Sequence, residues 1–391
     1  MKTPLCVPRV LLLGSSFLGG LSGSVVQFVF AWASSQYGAV ALGGTLLAGM
    51  LPSLLLTFVG GVFADRNDAR RMLFAGAVVS AVVLFTTTWW HAVAPAAVVF
   101  MVSNFALSVT GAVFGGSSYV IPAALFPKDE LVRINANLSL ADDAAYLVGP
   151  LLAAAIFLAT GVVGSLLFAA AVGLVAGAWL LALPPVPRSE ATEALNLKFV
   201  AAGFVYISKT ASTMRLVLFF ATTNVLAAAF QVASPFFADA LGGAQAYALL
   251  LSAMNLGMTA SNLALSAVPI RASEKLIFAS GLFQGLALAA LGRSRSLPGA
   301  VVFGAVHDAM ANMSSTVFIS YLQAKVPEAL LGRVFAAVNT LAMLLTPLGF
   351  ASAPWLIARL GAATSVVALG LVSAAVAAIF CGLRGCLAKE S

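Results

Sequence analysis

Charge is scarce in this chain. Of its 391 residues, 8% are Asp, Glu, Lys or Arg, whereas a soluble domain carries about a quarter. That shortage excludes a water-facing surface over most of the length. Histidine and cysteine are rarer still, with 2 and 3 residues and no clustered ligand spacing, so no metal site is expected. Cys6, Cys381 and Cys386 fall at span ends on the reducing side of the membrane, where thiols stay free. Glycine pairs such as Gly19-Gly20 lie inside apolar runs with no lysine after them. A phosphate-cradling loop is therefore missing, and with it direct use of ATP. No cofactor is expected, and two histidines far apart, at 91 and 307, leave little for an enzyme to work with.

What the chain has is apolar length. Hydrophobic residues make up 61% of it, mostly in runs of about 20 residues, enough to cross a hydrocarbon core of roughly 30 Å as helices. Helices are expected because lipid offers no partners to open backbone groups. A barrel needs alternating segments, and Leu166–Leu183 does not alternate. Spans are read at 9–35, 40–64, 72–91, 95–124, 136–159, 162–184, 212–238, 244–268, 276–292, 297–324, 331–357 and 362–386. The first has no small-residue cleavage site in the usual place and reads as an uncleaved anchor.

Twelve crossings put both ends on one side. If that side is the cytoplasm, 17 of the 20 lysines and arginines lie inside, leaving Arg293, Arg295 and Arg359 outside, a strong orientation signal. The same bias accounts for the net charge of +7 without nucleic acid. Trp32, Trp89, Trp90 and Trp355 fall near outer span ends, as an interfacial belt requires. The expected location is the plasma membrane of a bacterium (its inner membrane), with the lipid bilayer as partner and the chain a monomer.

The chain repeats itself. Leu46-Leu47-Ala48-Gly49-Met50 matches Leu250-Leu251-Ser252-Ala253-Met254, and Leu73-Phe74-Ala75 matches Ile277-Phe278-Ala279, both at an offset of 204. Phe126-Pro127 through Arg133 matches Val326-Pro327 through Arg333 at 200. The expected architecture is an all-α membrane protein of twelve helices in two pseudo-symmetric six-helix bundles, residues 1–184 and 212–391. Residues 185–211 form a cytoplasmic linker that opens on Pro184-Pro185-Val186-Pro187. Within it, 194–207 suit a helix lying on the membrane surface.

One charged hairpin stands between the second and third spans: Gly60-Gly61-Val62-Phe63-Ala64-Asp65-Arg66-Asn67-Asp68-Ala69-Arg70-Arg71. It resembles the signature loop of the major facilitator superfamily, with Gly61, Asp65, Arg66, Arg70 and Arg71 in the motif positions. Asp68 in place of a second glycine, together with the doubled arginine, is similar to the branch of macrolide efflux pumps and the enterobactin exporter. Pro122 to Leu131, Asp239 to Gly243, and Val326-Pro327-Glu328 with Gly332-Arg333-Val334 resemble the same branch. Two departures stand out. Gly23 occupies the place of a first-span acid, and Ala153 and Ala154 follow Gly149-Pro150 where that family's antiporters often carry glycines.

The resemblance implies a central cavity lined by spans 1, 4, 7 and 10, opening alternately to each side. It also implies a latch in which Asp65 accepts hydrogen bonds from the start of span 11, near Gly332 and Arg333, where free amides favour an anion. Arg66, Arg70 and Arg71 then pair with Asp129, Glu130 or Glu328, or else only fix topology.

Acids inside a membrane are functional candidates by default. Asp308 lies ten residues past Pro298, about 15 Å along a helix and near the midplane. It is the candidate for binding a proton or a substrate cation; His307 beside it is a second proton-coupling candidate, able to set its pKa or to titrate itself, and Asn312 follows one turn on. Asp142 and Asp143 are further proton-coupling candidates in span 5. Gln27, Phe30, Asn104, Tyr146, Asn224, Gln231, Asn255 and Asn312 are candidates for the substrate cavity, each able instead to tie two helices together. Asp239 reads as an outer cap and His91 as an interfacial residue. So few polar groups suit an amphiphilic small molecule better than a sugar. The reading is a proton-driven exporter of such a substrate. The rivals are a proton-coupled uptake carrier of the same fold, a membrane enzyme acting on lipids, and a transport-inactive sensor or scaffold.

Overall fold

The computed structural model describes residues 6–127, 130–186, 197–268 and 270–382, with backbone alone at 6, 54, 55, 57–66, 132, 197–200 and 329. Its helices are α1 (Cys6–Ser35), α2 (Ala39–Arg66), α3 (Ala69–Val93), α4 (Ala97–Phe114), a 3₁₀ turn (Gly115–Tyr119), α5 (Val120–Leu125), α6 (Leu131–Leu180), α7 (Leu197–Lys209), α8 (Ala211–Ala267), α9 (Glu274–Arg293), α10 (Leu297–Lys325), α11 (Glu328–Leu360) and α12 (Ala362–Gly382). No strand occurs among the described residues. Among the described residues eight helical stretches, one of them α4 through α5, are long and apolar enough to cross a bilayer. Two of these, α6 and α8, are each two segments merged across a glycine. Helix α10 is long enough but more polar, carrying His307, Asp308 and Asn312.

Glycines make the breaks. Gly38, Gly161, Gly242, Gly243 and Gly361 all have positive φ, from 68° to 142°, a region closed to most side chains and open to glycine. Their placement repeats the internal duplication. Gly38 and Gly242, after the first span of each half, are 204 residues apart, and Gly161 and Gly361, after the fifth, are 200 apart. The helices also extend beyond the apolar runs at their charged ends, α6 starting at Leu131 and α11 at Glu328. Local caps fix some starts. Asp68 accepts from the Arg70 amide at 3.1 Å to begin α3, and Ser273 accepts from the Leu276 amide at 3.3 Å to begin α9.

The chain divides into two compact units, residues 1–194 and 195–391. In the first, α1 packs along α6, α2 on α4, and α3 against α4 and α6. In the second, α9 packs on α12, α10 on α8 and α9, and α11 on α8. Of the helix expected over 194–207, residues 197–207 belong to α7, which is built into the second unit, and 194–196 lie outside the described residues. Gly203 abuts the Arg333 backbone of α11, and Ile207 is buried with Leu216, Phe278, Leu322 and Val334. Phe204 and Val205 remain exposed on its other side.

Small residues set how closely the helices approach. A Cβ added at Gly285 of α9 would lie 2.7 Å from the Gly370 carbonyl oxygen of α12, and one added at Gly370 would lie 2.7 Å from that of Gly285. Gly257 of α8 meets α10 in the same way, its Cβ falling 2.7 Å from the Ala305 carbonyl carbon. Such backbone-to-backbone contact suits helices in lipid, where association rests on packing.

Candidate functional site

The two regions with chemistry lie one in each unit. In the second unit, α10 carries His307 and Asp308. His307 is 5% exposed. Its Nδ1 lies 3.0 Å from the Gln284 carbonyl oxygen of α9, and the Phe230 ring of α8 meets the imidazole edge-on at 5.6 Å. A carbonyl can only accept, so Nδ1 carries a proton and Nε2 is left to act toward its other neighbour. That neighbour is Asp308, whose Oδ1 stands 3.8 Å away. Asp308 is the more open partner, with 28% of its side chain exposed. Consecutive residues on a helix diverge by about 100°, and the Gln284 contact fixes the imidazole in the orientation that brings Nε2 to 3.8 Å from Asp308.

Asn312, one turn beyond, is tied to α8: its Nδ2 donates to Asn262 Oδ1 at 2.7 Å and reaches the Met258 carbonyl at 3.5 Å. Asn255 and Asn224 donate to carbonyls in their own helix, those of Leu251 and Phe220. Asn224 and Gln231 are exposed.

In the first unit a cavity of about 670 Å³ lies among α1, α3, the 3₁₀ turn, α5 and α6. Asp142 lines it, and Ser16 of α1 donates to Asp142 Oδ1 at 2.6 Å. The neighbouring acid Asp143 is not among its lining residues. Ser15, Ser118, Asn135 and Ser139 add polar lining. Tyr146, one turn past Asp142, is 38% exposed. The α1–α6 contact is close here, a Cβ on Gly149 falling 2.6 Å from Ser24 Cβ. Of the remaining cavity candidates, Gln27 is exposed. Phe30 is 3% exposed and packs edge-on against Phe100 at 5.6 Å, so it belongs to the packed interior of its unit. Asn104 ties α4 to α2 by donating to the Thr45 carbonyl at 2.8 Å.

The hairpin is described only in part. Gly61, Asp65 and Arg66 are described by their backbone alone, and Lys128 and Asp129 lie outside the described residues. Arg70 is 8% exposed. It bonds Asp68 Oδ2 at 2.6 Å and the carbonyls of Leu181 and Leu183 just past the end of α6, where a cation complements the helix dipole. This guanidinium holds the Asp68 carboxyl below the usual carboxylate range. Arg71 is exposed, Gly332 is exposed and Arg333 is half-buried. Glu130 is paired with Arg9 at the start of α1. In the second unit the first-span arginine, Arg215, pairs instead with Glu274 of α9, lies over the Phe278 ring at 5.4 Å, and shares Glu274 with the Tyr321 hydroxyl at 2.7 Å.

Ser16, Gln284, Phe230 and the broken fourth span have no place in the sequence reading. Only the last leaves a signal there: Gly115-Gly116-Ser117-Ser118-Tyr119 is a run of poor helix formers inside an apolar span.

A sequence profile of the Major Facilitator Superfamily matches residues 12–350. No curated protein sequence matches significantly. Among solved structures, a mutant of the nucleoside transporter NupG superposes with a TM-score of 0.78 at 13% identity, over 96% of this chain and 99% of that one. A POT family transporter in complex with 5-aminolevulinic acid gives 0.71 at 13% identity, over 96% of each chain. A bacterial homologue of the human lysosomal transporter Spinster gives 0.67 at 14% identity, again over 96% of each. Likeness at such identities speaks for the fold.

Proposed function

Since the chain belongs to the Major Facilitator Superfamily, we propose that it is a secondary active exporter that moves an amphiphilic small molecule by alternating access, driven by proton influx. The observation that carries the coupling is the His307–Asp308 pair, with His307 buried against the Gln284 carbonyl and Asp308 partly open. A carboxyl that far inside a span is costly to keep ionised. Protonation from one side and release to the other gives the pair two states of different charge. Such a difference can bias a two-state carrier. Export is favoured by the hairpin variant with Asp68 and the doubled arginine, which resembles macrolide efflux pumps and the enterobactin exporter.

The test is proton flux in proteoliposomes, read with an internal pH dye on addition of macrolides, hydrophobic drugs or siderophores. Flux is expected with at least one class and lost in Asp308→Asn, while exchange of substrate without a pH gradient persists. Equal flux in Asp308→Asn at equal incorporation sinks the coupling role. A second reading, proton-coupled uptake, has the structural neighbours on its side, among them a nucleoside transporter and POT family members. Reversing the imposed gradient in oriented vesicles separates the two directions.

A further inference from the structure

The first unit contains a space that proton coupling through α10 does not use. We propose that the cavity around Asp142 is a binding site for a drug-sized organic cation, an ammonium or phosphonium ion with an apolar body. The inference deepens the exporter reading by naming its cargo as cationic.

The cavity's volume of about 670 Å³ sits within the range of small-molecule pockets, roughly 300–1,000 Å³. Among its described lining residues Asp142 is the one acid, and no lysine, arginine or histidine faces it. The carboxylate is held in place from α1. Ser16 donates to Oδ1 at 2.6 Å. Among the described residues no ion pair is made by Asp142. Leu12, Leu73, Ile121, Leu138 and Leu180 supply an apolar wall for the body of the ligand, and Asn135 and Ser139 offer hydrogen bonds.

The wall of the cavity is itself unusual. The fourth span leaves α-helical geometry at Gly115–Tyr119, placing Ser118 and Tyr119 on the cavity. Tyr119 is 84% exposed. The fourth span of the second unit, α10, runs unbroken from Leu297 to Lys325, so the fold does not demand the break. Within it Ser117 is buried with no hydrogen-bond partner for its hydroxyl among the described residues. A mid-helix 3₁₀ stretch often marks a hinge, and an orphaned buried hydroxyl calls for a reason. Adjustment of this wall around a ligand supplies one.

The probe is tritiated tetraphenylphosphonium, bound at equilibrium to the full chain in lipid-free maltoside micelles. Saturable binding is expected, resisting displacement by neutral triphenylphosphine oxide. Asp142→Asn should weaken it at least about tenfold, as loss of a charged partner does, and Asp142→Glu should recover part. Ser139→Phe keeps the charge and fills the space, and should weaken binding as well. Absence of saturable binding, or equal affinity in Asp142→Asn, overturns the site. Should Asp142→Asn fail to fold, unchanged binding in Ser139→Phe overturns it. Adding phosphatidylethanolamine distinguishes two sources of the same ammonium chemistry: displacement of the probe supports a lipid headgroup as occupant, and no displacement supports a free cation. Efflux of the probe from proteoliposomes separates the two levels of inference. Asp142-dependent binding without efflux refutes the exporter and keeps the site, whereas efflux indifferent to Asp142→Asn refutes the site and keeps the exporter.

Discussion

Substituting Gly285 by alanine tests whether helix packing in the second unit rests on backbone contact. The added methyl lands 2.7 Å from the Gly370 carbonyl oxygen and 2.8 Å from the Ala374 Cα. Both are backbone atoms, so no rotamer change relieves the overlap, and α9 must move off α12 by most of an ångström. A gap of 0.5–1 Å forfeits about a quarter to a half of each dispersion contact across the seam. Leu288 and Leu291 on α9, and Val366 and Leu369 on α12, are all buried within their unit. Overpacking costs about 1–3 kcal/mol in general, and this site belongs at the upper end, near 3 kcal/mol. At roughly 2–4 °C per kcal/mol, the melting temperature followed by tryptophan fluorescence in detergent should fall by roughly 6–12 °C. Gly370→Ala should do the same, because its methyl meets the Gly285 oxygen. One separation of the helices relieves both clashes, so the double variant should cost little more than either single one, a coupling that neighbouring sites often show. A melting temperature unchanged in Gly285→Ala, or two costs that simply add, would refute the reasoning.

Two further outcomes follow from the hairpin, beside the proton-flux and cation-binding results already described. Arg70→Ala should destabilise by about 1–3 kcal/mol, the value of charged hydrogen bonds left unmade. Arg71→Ala, exposed, should stay within about 0.5 kcal/mol, and Arg70→Lys should not rescue, since an ammonium cannot span Asp68 and the end of α6; thermal unfolding of the three ranks them. Asp68→Ala should cost about 1 kcal/mol at pH 7 as a lost cap. Because the folded carboxyl lies below its unfolded value of about 3.9, that difference persists down to the unfolded value and vanishes as pH falls through the folded one, which unfolding curves of both proteins at stepped pH would follow.

Much of the fold is legible because lipid punishes departures from a simple code. Apolar length gives the spans, and the glycines at 38, 161, 242 and 361 terminate helices where apolar length runs out. The 204- and 200-residue offsets seen in weakly similar peptides return as offsets between left-handed glycines, a property of the backbone and not of resemblance. What the sequence conceals is which helix a polar side chain will meet. Ser16 and Asp142 are 126 residues apart, and nothing in either neighbourhood announces the other. Asn104 and Asn312 read as cavity residues yet bond to adjacent helices, and Phe30 packs inside its unit. Trp32 counts toward an interfacial belt by position, but it is 7% exposed, whereas Trp89 and Trp355 are 65% and 63% exposed. Arg70 and Arg71 look interchangeable in the motif; only the end of α6 tells them apart. The break in the fourth span was spelled in Gly115-Gly116-Ser117-Ser118-Tyr119 and masked by the apolar residues on either side.

The seating of α7 against α8 and α11 has a practical consequence for dissecting this molecule. Anyone wishing to produce the halves as separate, co-expressed polypeptides should divide the chain ahead of Leu197, so that Gly203 and Ile207 travel with the residues they touch. A division at Thr210, where the apolar run resumes, would strip the later fragment of part of its own interior and expose Phe278, Leu322 and Val334.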